Sequence, residues 1–267
     1  MPWLNGQMWP VGAAWIDPAD RGFTLGDGLF ETIRVDHGQL VWLDRHLARL
    51  AAGCAILGIP HRFDDGILAG ACAAVIGEAG IDRGALRLTV SRGPGPRGLP
   101  PPAKPEPTVL VTGHAGASPQ GPVTLVVARG TCRNQYSPLS RIKSLNTLDA
   151  ILARREAMGQ GGGDAVMLNT EGRVAETTIA NIFARIDGAW ATPPVEEGVL
   201  PGIMRAEVLA RLGAVETPIP VATLIQADAL VLTNALSIRS GLWLGATGSA
   251  DGEATAADLR LQLGMET

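Results

Sequence analysis

The chain has 267 residues, of which 46% are hydrophobic and 18% charged, and its formal net charge is −4. A mildly acidic chain without a basic run argues against nucleic acid or an anionic membrane as a partner. No apolar stretch is long enough to span a bilayer, and the amino terminus lacks the charged and apolar regions of a signal peptide.

The cysteines indicate the compartment of the protein. Cys54, Cys72 and Cys132 are widely spaced and form no Cys-x-x-Cys pair. This pattern favours a reducing cytoplasm and argues against a disulfide framework or a metal site. Cys54 and Cys72 lie in alanine-rich segments and are expected to be small buried hydrophobic residues.

The first part of the chain is predicted to be rich in strands and then in helices. A glycine-punctuated turn at residues 25–30 leads into the first long strand, and residues 36–39 are typical of a hairpin turn. A Gly/Pro-rich loop at residues 91–107 is long enough to be either functional or mobile. The predicted strands cover residues 31–35, 40–42, 85–90 and 108–112. The predicted helices cover residues 43–57 and 64–78, the second capped by Asp64 or Asp65.

A segment of linker composition separates this part from the rest, which predicts domains at residues 1–114 and 123–267 joined by a linker at 115–122. In the second domain, Asn146 is a candidate helix cap, with Leu148 and Leu152 on one helix face. Strands and helices mix without regular alternation, which favours an α+β fold over a doubly wound sheet. Further strands are predicted at residues 123–127, 165–168, 179–186 and 229–233, and a further helix at 203–212.

Lysine usage singles out one residue. Of the 22 basic residues, only Lys104 and Lys143 are lysines. Arginine replaces lysine at most surfaces but cannot form a Schiff base, because its guanidinium stays protonated. Lys104 lies among prolines in a predicted solvated loop, whereas Lys143 lies between Ile142 and Leu145 ahead of a helix. Lys143 is therefore a candidate nucleophile, although a coding bias against lysine would also explain why the chain has only two lysines.

Seven segments then occur in one order along nearly the whole chain. They are residues 21–34 (RGFTLGDGLFETIR), 46–50 (HLARL), 91–98 (SRG with RG), 142–146 (IKSLN), 172–183 (GRVAE with ANIF), 200–205 (LPGIMR) and 233–236 (TNAL). In these segments the chain resembles the fold-type IV pyridoxal-phosphate enzymes, the class IV aminotransferase group. That group includes branched-chain and D-amino-acid aminotransferases and 4-amino-4-deoxychorismate lyase. The resemblance implies a small N-terminal α/β domain and a larger, mixed β-barrel-like C-terminal domain.

The resemblance also implies a role for individual residues. Lys143 would form the aldimine with pyridoxal phosphate and shuttle protons, with a pKa lowered by burial and by cations such as Arg141. Glu176 would bond the pyridine nitrogen of the cofactor. Without the family, Glu176 is better explained as an acid at a helix N-terminus or a solvated turn residue, and Arg49 as a snorkelling surface arginine. The phosphate would be held by Arg49, the amides of Ile203 and Met204, and Asn234 with Ala235.

Within the group, the segments are most similar to those of the lyase branch. Phe30 and Leu99 stand where D-amino-acid aminotransferases carry a tyrosine and a histidine. Tyr136 is the only tyrosine, so the tyrosine-rich pocket of branched-chain enzymes cannot be built. The predicted reaction converts 4-amino-4-deoxychorismate to 4-aminobenzoate and pyruvate, a step towards folate. The substrate would contact Phe30, and its carboxylates would be held by Arg97, Arg34 or Arg87, with Arg97 the first choice.

Other functions stay open at this level. An aminotransferase acting on D-amino acids, branched-chain amino acids or small amines is the main alternative. A catalytically silent relative and a globular binding protein with a pocket but no cofactor are further alternatives. A silent relative is expected to have lost Lys143 or Glu176, and both are present. The resemblance further implies a homodimer with active sites near the subunit interface.

Overall fold

The structure, a computed structural model, describes residues 1–117, 119–246 and 250–265. The chain divides into two compact units, of which the first comprises residues 1–118 together with 142–146 and the second comprises 119–141 together with 147–267. The sequence placed Lys143 in the C-terminal domain, whereas the contacts of residues 142–146 group it with the first unit. The predicted domain limits themselves stay a prediction.

The first unit is built on a six-stranded antiparallel sheet with the order β2-β1-β6-β5-β3-β4. Its strands are β1 (Trp3–Leu4), β2 (Gln7–Met8), β3 (Gly28–Asp36), β4 (Gln39–Leu40), β5 (Gly84–Ser91) and β6 (Thr108–Ala115). Its helices are α1 (Arg21–Leu25), α2 (Leu43–Leu57) and α3 (Asp65–Ala79). Helix α2 packs on β3 and helix α3 on β6.

The long strands alternate, and this alternation gives the sheet two different faces. Along β3, Leu29, Ile33 and Val35 are buried, and Leu29 and Val35 share a hydrophobic core with residues of α2 and α3. Phe30 and Arg34, which alternate with them, are only half-buried and lie on the opposite face. That second face, called here the open face, carries polar and charged side chains.

Local signals in the first unit predict its elements well. Helix α2 begins and ends where the periodicity placed it, and β3 and β4 form the predicted hairpin, in which Asp36 pairs with Gln39. Asp64 caps α3 by accepting a hydrogen bond from the Ile67 amide at 2.8 Å. The short helix α1 was not predicted, because five residues are too few to show a helical period.

The second unit contains an eight-stranded mixed sheet with the order β12-β11-β10-β13-β14-β7-β8-β9. Its strands are β7 (Val123–Val127), β8 (Asp164–Leu168), β9 (Val174–Thr177), β10 (Asn181–Ile186), β11 (Ala189–Thr192), β12 (Val215–Glu216), β13 (Ala229–Thr233) and β14 (Ile238–Trp243). Its helices are α4 (Leu148–Gly159), α5 (Ile203–Leu212), α6 (Val221–Ile225) and α7 (Ala250–Gln262). The α+β fold class and the mixed sheet agree with the prediction.

One detail of α4 corrects the prediction. Its N-cap is Thr147 and not Asn146, and the Asn146 side-chain amide instead donates to the carbonyl of Gly26 at 3.3 Å. Leu148 is 72% exposed, while the small residues Ala153 and Ala157 face the core. Among the described helices, none has the length and apolar character that a membrane crossing requires.

The cysteines give a prediction that tests the packing of the first unit. Burial raises the pKa of the Cys54 thiol to about 11 and that of Cys72 to about 12, whereas Cys132 is exposed. Because the thiolate is the reactive form, iodoacetamide at pH 8 is expected to modify one thiol in the native protein and all three after unfolding. Mass spectrometry counts the adducts. Two or more adducts on the native protein would contradict the packing, and Cys132→Ser is expected to show none.

Candidate active site

The backbone of the lysine segment is fixed against strand β3. The Phe30 amide donates to the carbonyl of Lys143 and the Leu145 amide donates to the carbonyl of Gly28, both at 2.9 Å. At Gly28, a β-carbon would come within 2.5 Å of the Val90 carbonyl and 2.8 Å of Leu145 Cδ1. Only glycine lets the two segments approach this closely. This pairing brings Lys143 to the open face of the first-unit sheet.

The side chain of Lys143 lies against an aromatic ring. Its Nζ is 4.5 Å from the ring centroid of Phe30, and Cζ of Arg87 is 3.8 Å from the same centroid. Lys143 is half-buried, whereas Lys104 is exposed. Arg141, which the sequence suggested as a nearby cation, is exposed and donates to the Gln135 carbonyl at 3.3 Å. Within the first unit, the cation that shares the Phe30 ring with Lys143 is therefore Arg87.

A second predicted arginine lies on the same face. Arg87 pairs in register with Thr32, so it is a diagonal neighbour of Arg34 two residues along β3. Arg34 donates to Asp36 at 3.1 Å. Burial lowers the pKa of both guanidinium groups. A partly desolvated cation gains from an anionic ligand, so the open face is suited to a carboxylate.

Arg49, on helix α2, pairs with Glu31 on the core-facing side of β3. Its guanidinium donates to both carboxylate oxygens of Glu31, at 2.8 and 2.6 Å, and Nδ1 of His46 lies 2.7 Å from Glu31 Oε2. Glu31 and His46 are each 1% exposed. Burial alone would raise the pKa of Glu31, but the hydrogen bonds from Arg49 and His46 outweigh burial and lower it. Arg49 is thus held in a fixed direction, which suits an anion-binding arginine.

In the second unit, Glu176 is held in a buried polar site. One carboxylate oxygen lies 3.1 Å from Arg133 Nη2. The other accepts hydrogen bonds from the Asn181 side chain and the Leu200 amide, both at 3.2 Å. Glu176 is 9% exposed, so its interpretation as a solvated acid is wrong. A buried, charge-paired carboxylate is what a ring nitrogen requires as a partner.

Asn181 links Glu176 to the start of helix α5. Its side-chain amide also donates to the Leu200 carbonyl at 3.0 Å, and a β-carbon on Gly202 would lie 2.1 Å from its Oδ1. The amides of Ile203 and Met204 fall in the first turn of α5. First-turn amides have no acceptor within their own helix, and the helix dipole favours an anion there. The predicted phosphate donors are therefore at a helix N-terminus.

Asn234 and Ala235 form the turn between β13 and β14. The Asn234 side chain accepts hydrogen bonds from the amides of Leu236 and Ser237, both at 2.9 Å. Thr233, which pairs with Asn181 in the sheet, is fully buried, and its hydroxyl has no hydrogen-bond partner among the described residues. Helix α5 packs against β13.

Arg97 is not among these groups. It is exposed on the Gly/Pro-rich loop after β5, and Leu99 nearby is 80% exposed. Sequence reasoning assigned no role to Glu31, Asn181 or Arg133. The first two occur inside the segments that carried the resemblance, which was an available signal. Arg133 lies outside all of them, and only the fold brings it to Glu176.

Each unit by itself carries groups that suit part of pyridoxal phosphate. The first unit supplies a primary amine beside an aromatic ring, and the second supplies a buried carboxylate and a helix N-terminus. Lys143 and Arg49 belong to the first unit, and the other predicted cofactor residues, Glu176, Ile203, Met204, Asn234 and Ala235, belong to the second.

Comparison with known proteins agrees with this chemistry. The sequence profile described as Amino-transferase class IV matches residues 28–240. The chain is 30% identical to the aminodeoxychorismate lyase of Vibrio harveyi, over 88% of each sequence. It is also 30% identical to the D-alanine aminotransferase of Bacillus licheniformis, over 77% of this chain and 72% of the other. The 4-amino-4-deoxychorismate lyase structure from Pseudomonas aeruginosa superposes with a TM-score of 0.83 at 31% identity, covering 98% and 99% of the two chains. The chain therefore belongs to the class IV aminotransferase family of pyridoxal-phosphate enzymes.

Proposed function

We propose that this protein is a pyridoxal-phosphate-dependent lyase that converts 4-amino-4-deoxychorismate to 4-aminobenzoate and pyruvate. The observation that carries the proposal is the open face, where Arg34 and Arg87 lie on the same side of the sheet as Lys143. The substrate has two carboxylates, and two partly desolvated guanidinium groups on one face are suited to bind one of them. Similarity to two lyases at about the same identity supports the same reaction. A homodimer, a cytoplasmic location and a role in making a folate precursor are parts of this proposal.

The cofactor would be held by the residues already described. Lys143 would bind its aldehyde carbon, Glu176 its ring nitrogen, and Arg49 its phosphate together with the first turn of α5 and the turn at Asn234–Ala235. When bound, pyridoxal phosphate supplies an electron-accepting ring that stabilises the negative charge left on carbon after a proton is removed. The bidentate pairing with Glu31 orients Arg49 for this role.

The lysine and the arginines would then divide the work on the substrate. Arg34 and Arg87 on the open face hold one carboxylate, Arg97 on its loop meets the other, and together they fix the ring relative to Lys143. The Lys143 amine takes the proton from the carbon that bears the substrate nitrogen. The bond between the ring carbon and the ether oxygen breaks, so that enolpyruvate leaves with the oxygen, takes up a proton on carbon and becomes pyruvate. The six-membered ring becomes aromatic in the same process, which makes the elimination strongly favourable.

The lone tyrosine supports a lyase over a branched-chain aminotransferase. Tyr136 is 75% exposed, and its hydroxyl donates to Glu171 at 2.5 Å. The aromatic residue at the Lys143 amine is Phe30, which offers a ring face and no hydroxyl. A pocket of several tyrosine hydroxyl groups is therefore not available to orient a branched-chain substrate.

An aminotransferase acting on D-amino acids is the second candidate, because the chain is as identical to the Bacillus licheniformis D-alanine aminotransferase as to the Vibrio harveyi lyase, 30% in both cases. The deciding experiment loads purified protein with pyridoxal phosphate and supplies either 4-amino-4-deoxychorismate or D-alanine or L-leucine. Formation of 4-aminobenzoate with equimolar pyruvate, at a rate well above half-transamination of the amino acids, supports the lyase. Fast conversion of the cofactor to its pyridoxamine form by D-alanine, without 4-aminobenzoate from the other substrate, would contradict it.

The Glu31–Arg49 pair leads to a prediction about phosphate affinity. Glu31→Gln removes the charge that orients Arg49, so the dissociation constant of pyridoxal phosphate is expected to rise about tenfold. Breaking a buried ion pair is also expected to lower stability by ~3 kcal/mol. Cofactor titration followed by absorbance measures the first effect and thermal unfolding the second. Pyridoxal without phosphate serves as the comparison ligand, and the exposed Glu78→Gln as the control variant. An equal rise in the dissociation constants of pyridoxal phosphate and pyridoxal would show that Glu31 does not act through the phosphate.

A further inference from the structure

The Gly/Pro-rich loop after β5 winds around one buried side chain. Arg21, the first residue of α1, is 4% exposed. Its amide donates to the Gly93 carbonyl at 2.9 Å, and the Gly95 amide donates to the Ala19 carbonyl at 3.2 Å. Gly93 has a φ of +84°, and a β-carbon there would lie 1.8 Å from the Glu106 carbonyl oxygen. The two ends of the loop therefore meet at a position that only glycine can occupy.

The guanidinium of Arg21 holds the middle of the loop. Its Nη1 donates to the carbonyls of Gly98 at 3.0 Å and Pro100 at 3.3 Å, and its Nη2 donates to the Leu99 carbonyl at 2.8 Å. Its aliphatic part lies against Gly95, where a β-carbon would come within 2.9 Å of Arg21 Cδ. Three consecutive carbonyls are thus bound by one planar guanidinium, although this segment forms no helix or strand.

A second arginine anchors the first. Arg21 Nε donates to Asp27 at 2.9 Å, and the same carboxylate accepts from Arg92 at 2.7 and 3.1 Å. Arg92 in turn donates to the carbonyls of Leu57 and Gly58 at the end of α2. The Arg-Gly and Gly-Asp-Gly elements of residues 21–28 and the Ser-Arg-Gly of residues 91–93 therefore belong to one buried network.

Loops without regular hydrogen bonding take their shape from such anchors. The Arg21 guanidinium binds the backbone of residues 98–100, which directly follow Arg97. The side chains of Arg97 and Leu99 are exposed. We propose that Arg21 is a positioning residue for substrate recognition, which fixes the loop segment 97–100 so that Arg97 meets a substrate carboxylate in one orientation. The substrate named in this inference rests on the proposed function. The geometric part, that Arg21 holds the loop segment 97–100, does not.

Trypsin measures the geometric part directly. Within residues 93–107, trypsin can cleave only after Arg97, because Lys104, the other basic residue of the loop, is followed by a proline. Cleavage requires local opening, so its rate follows the population of the open loop. Arg21→Gln is expected to speed cleavage at Arg97–Gly98 by about tenfold or more, since charge-assisted hydrogen bonds are lost. The cleavage rate of Arg21→Lys is expected to lie between those of the parent protein and Arg21→Gln, because an ammonium keeps the charge but not the planar set of donors. Asp27 keeps its pairing with Arg92 in both variants.

Kinetics of the cofactor-loaded protein measure the functional part. Arg21→Gln is expected to raise KM for 4-amino-4-deoxychorismate about tenfold while kcat stays within about twofold. If Arg21 acts through Arg97, adding Arg21→Gln to Arg97→Gln raises KM no further. If Arg21 has a purely structural role, its effect on KM adds to that of Arg97→Gln, and Arg21→Gln also lowers the thermal unfolding temperature. The control is Arg211→Gln, which removes an exposed ion pair on α5.

The outcomes separate the two proposals. Unchanged cleavage in Arg21→Gln overturns the inference, as does faster cleavage that appears in parallel at arginines throughout the chain. Faster cleavage at Arg97–Gly98 with additive KM effects overturns the positioning role. If the parent protein forms no 4-aminobenzoate, the proposed function fails, and the cleavage rates alone then support or overturn the holding of the loop by Arg21.

Discussion

Replacing Lys143 with alanine is expected to reduce the activity of the cofactor-loaded protein by at least about 10⁴-fold. The variant loses both the amine that binds the cofactor and the base that removes the substrate proton. Lys143→Arg keeps a positive charge beside Phe30 but cannot form a Schiff base. It is therefore expected to be as inactive as the alanine variant, which separates nucleophilic chemistry from charge.

The second lysine provides a matched control for this prediction. Lys104 is exposed and lies beyond the segment held by Arg21, so Lys104→Ala is expected to keep full activity and the long-wavelength absorbance of the bound cofactor. Borohydride reduction followed by peptide mapping then locates the covalent adduct. An adduct on Lys104 or the amino terminus, or activity that survives in Lys143→Ala, would rule out Lys143 as the cofactor lysine.

Replacing Glu176 with glutamine is expected to lower kcat by about 10²–10³-fold, the cost typical of losing one preorganised electrostatic contact. Glutamine has nearly the same shape and can still accept a hydrogen bond from the Leu200 amide. It cannot stabilise a protonated ring nitrogen, so the cofactor becomes a weaker electron acceptor. The loss is expected in kcat, with little change in KM, because the carboxylate acts in the transition state.

Steady-state kinetics and cofactor titration test this second prediction together. Glu171→Gln is the control, since Glu171 lies five residues away, is more exposed and pairs with Arg173. Glu176→Gln is expected to retain cofactor binding, so that its defect appears in the reaction itself. A variant with unchanged kcat would show that Glu176 has only a structural role with Arg133 and Asn181.

The prediction succeeded where chemistry and short-range periodicity were sufficient. Helices α2 and α5 begin and end at the predicted residues, because apolar residues at helical spacing are a local property of the sequence. The scarcity of lysine and the order of seven short segments were enough to predict the fold class, the family and the cofactor. The error at Asn146 is of a different kind, because its side chain is taken by Gly26 through a contact that spans 120 residues.

The sequence by itself therefore determined the family, the two helices and the candidate amine, since each depends on residue identity or on spacing within a few turns. Only the tertiary structure decided that residues 142–146 belong with the first unit, that Arg87 shares the Phe30 ring with Lys143, and that Arg21 holds the loop of Arg97. These arrangements depend on strand register and on side chains that meet across long stretches of chain. Register is set by the packing of whole sheet faces, which no local pattern records.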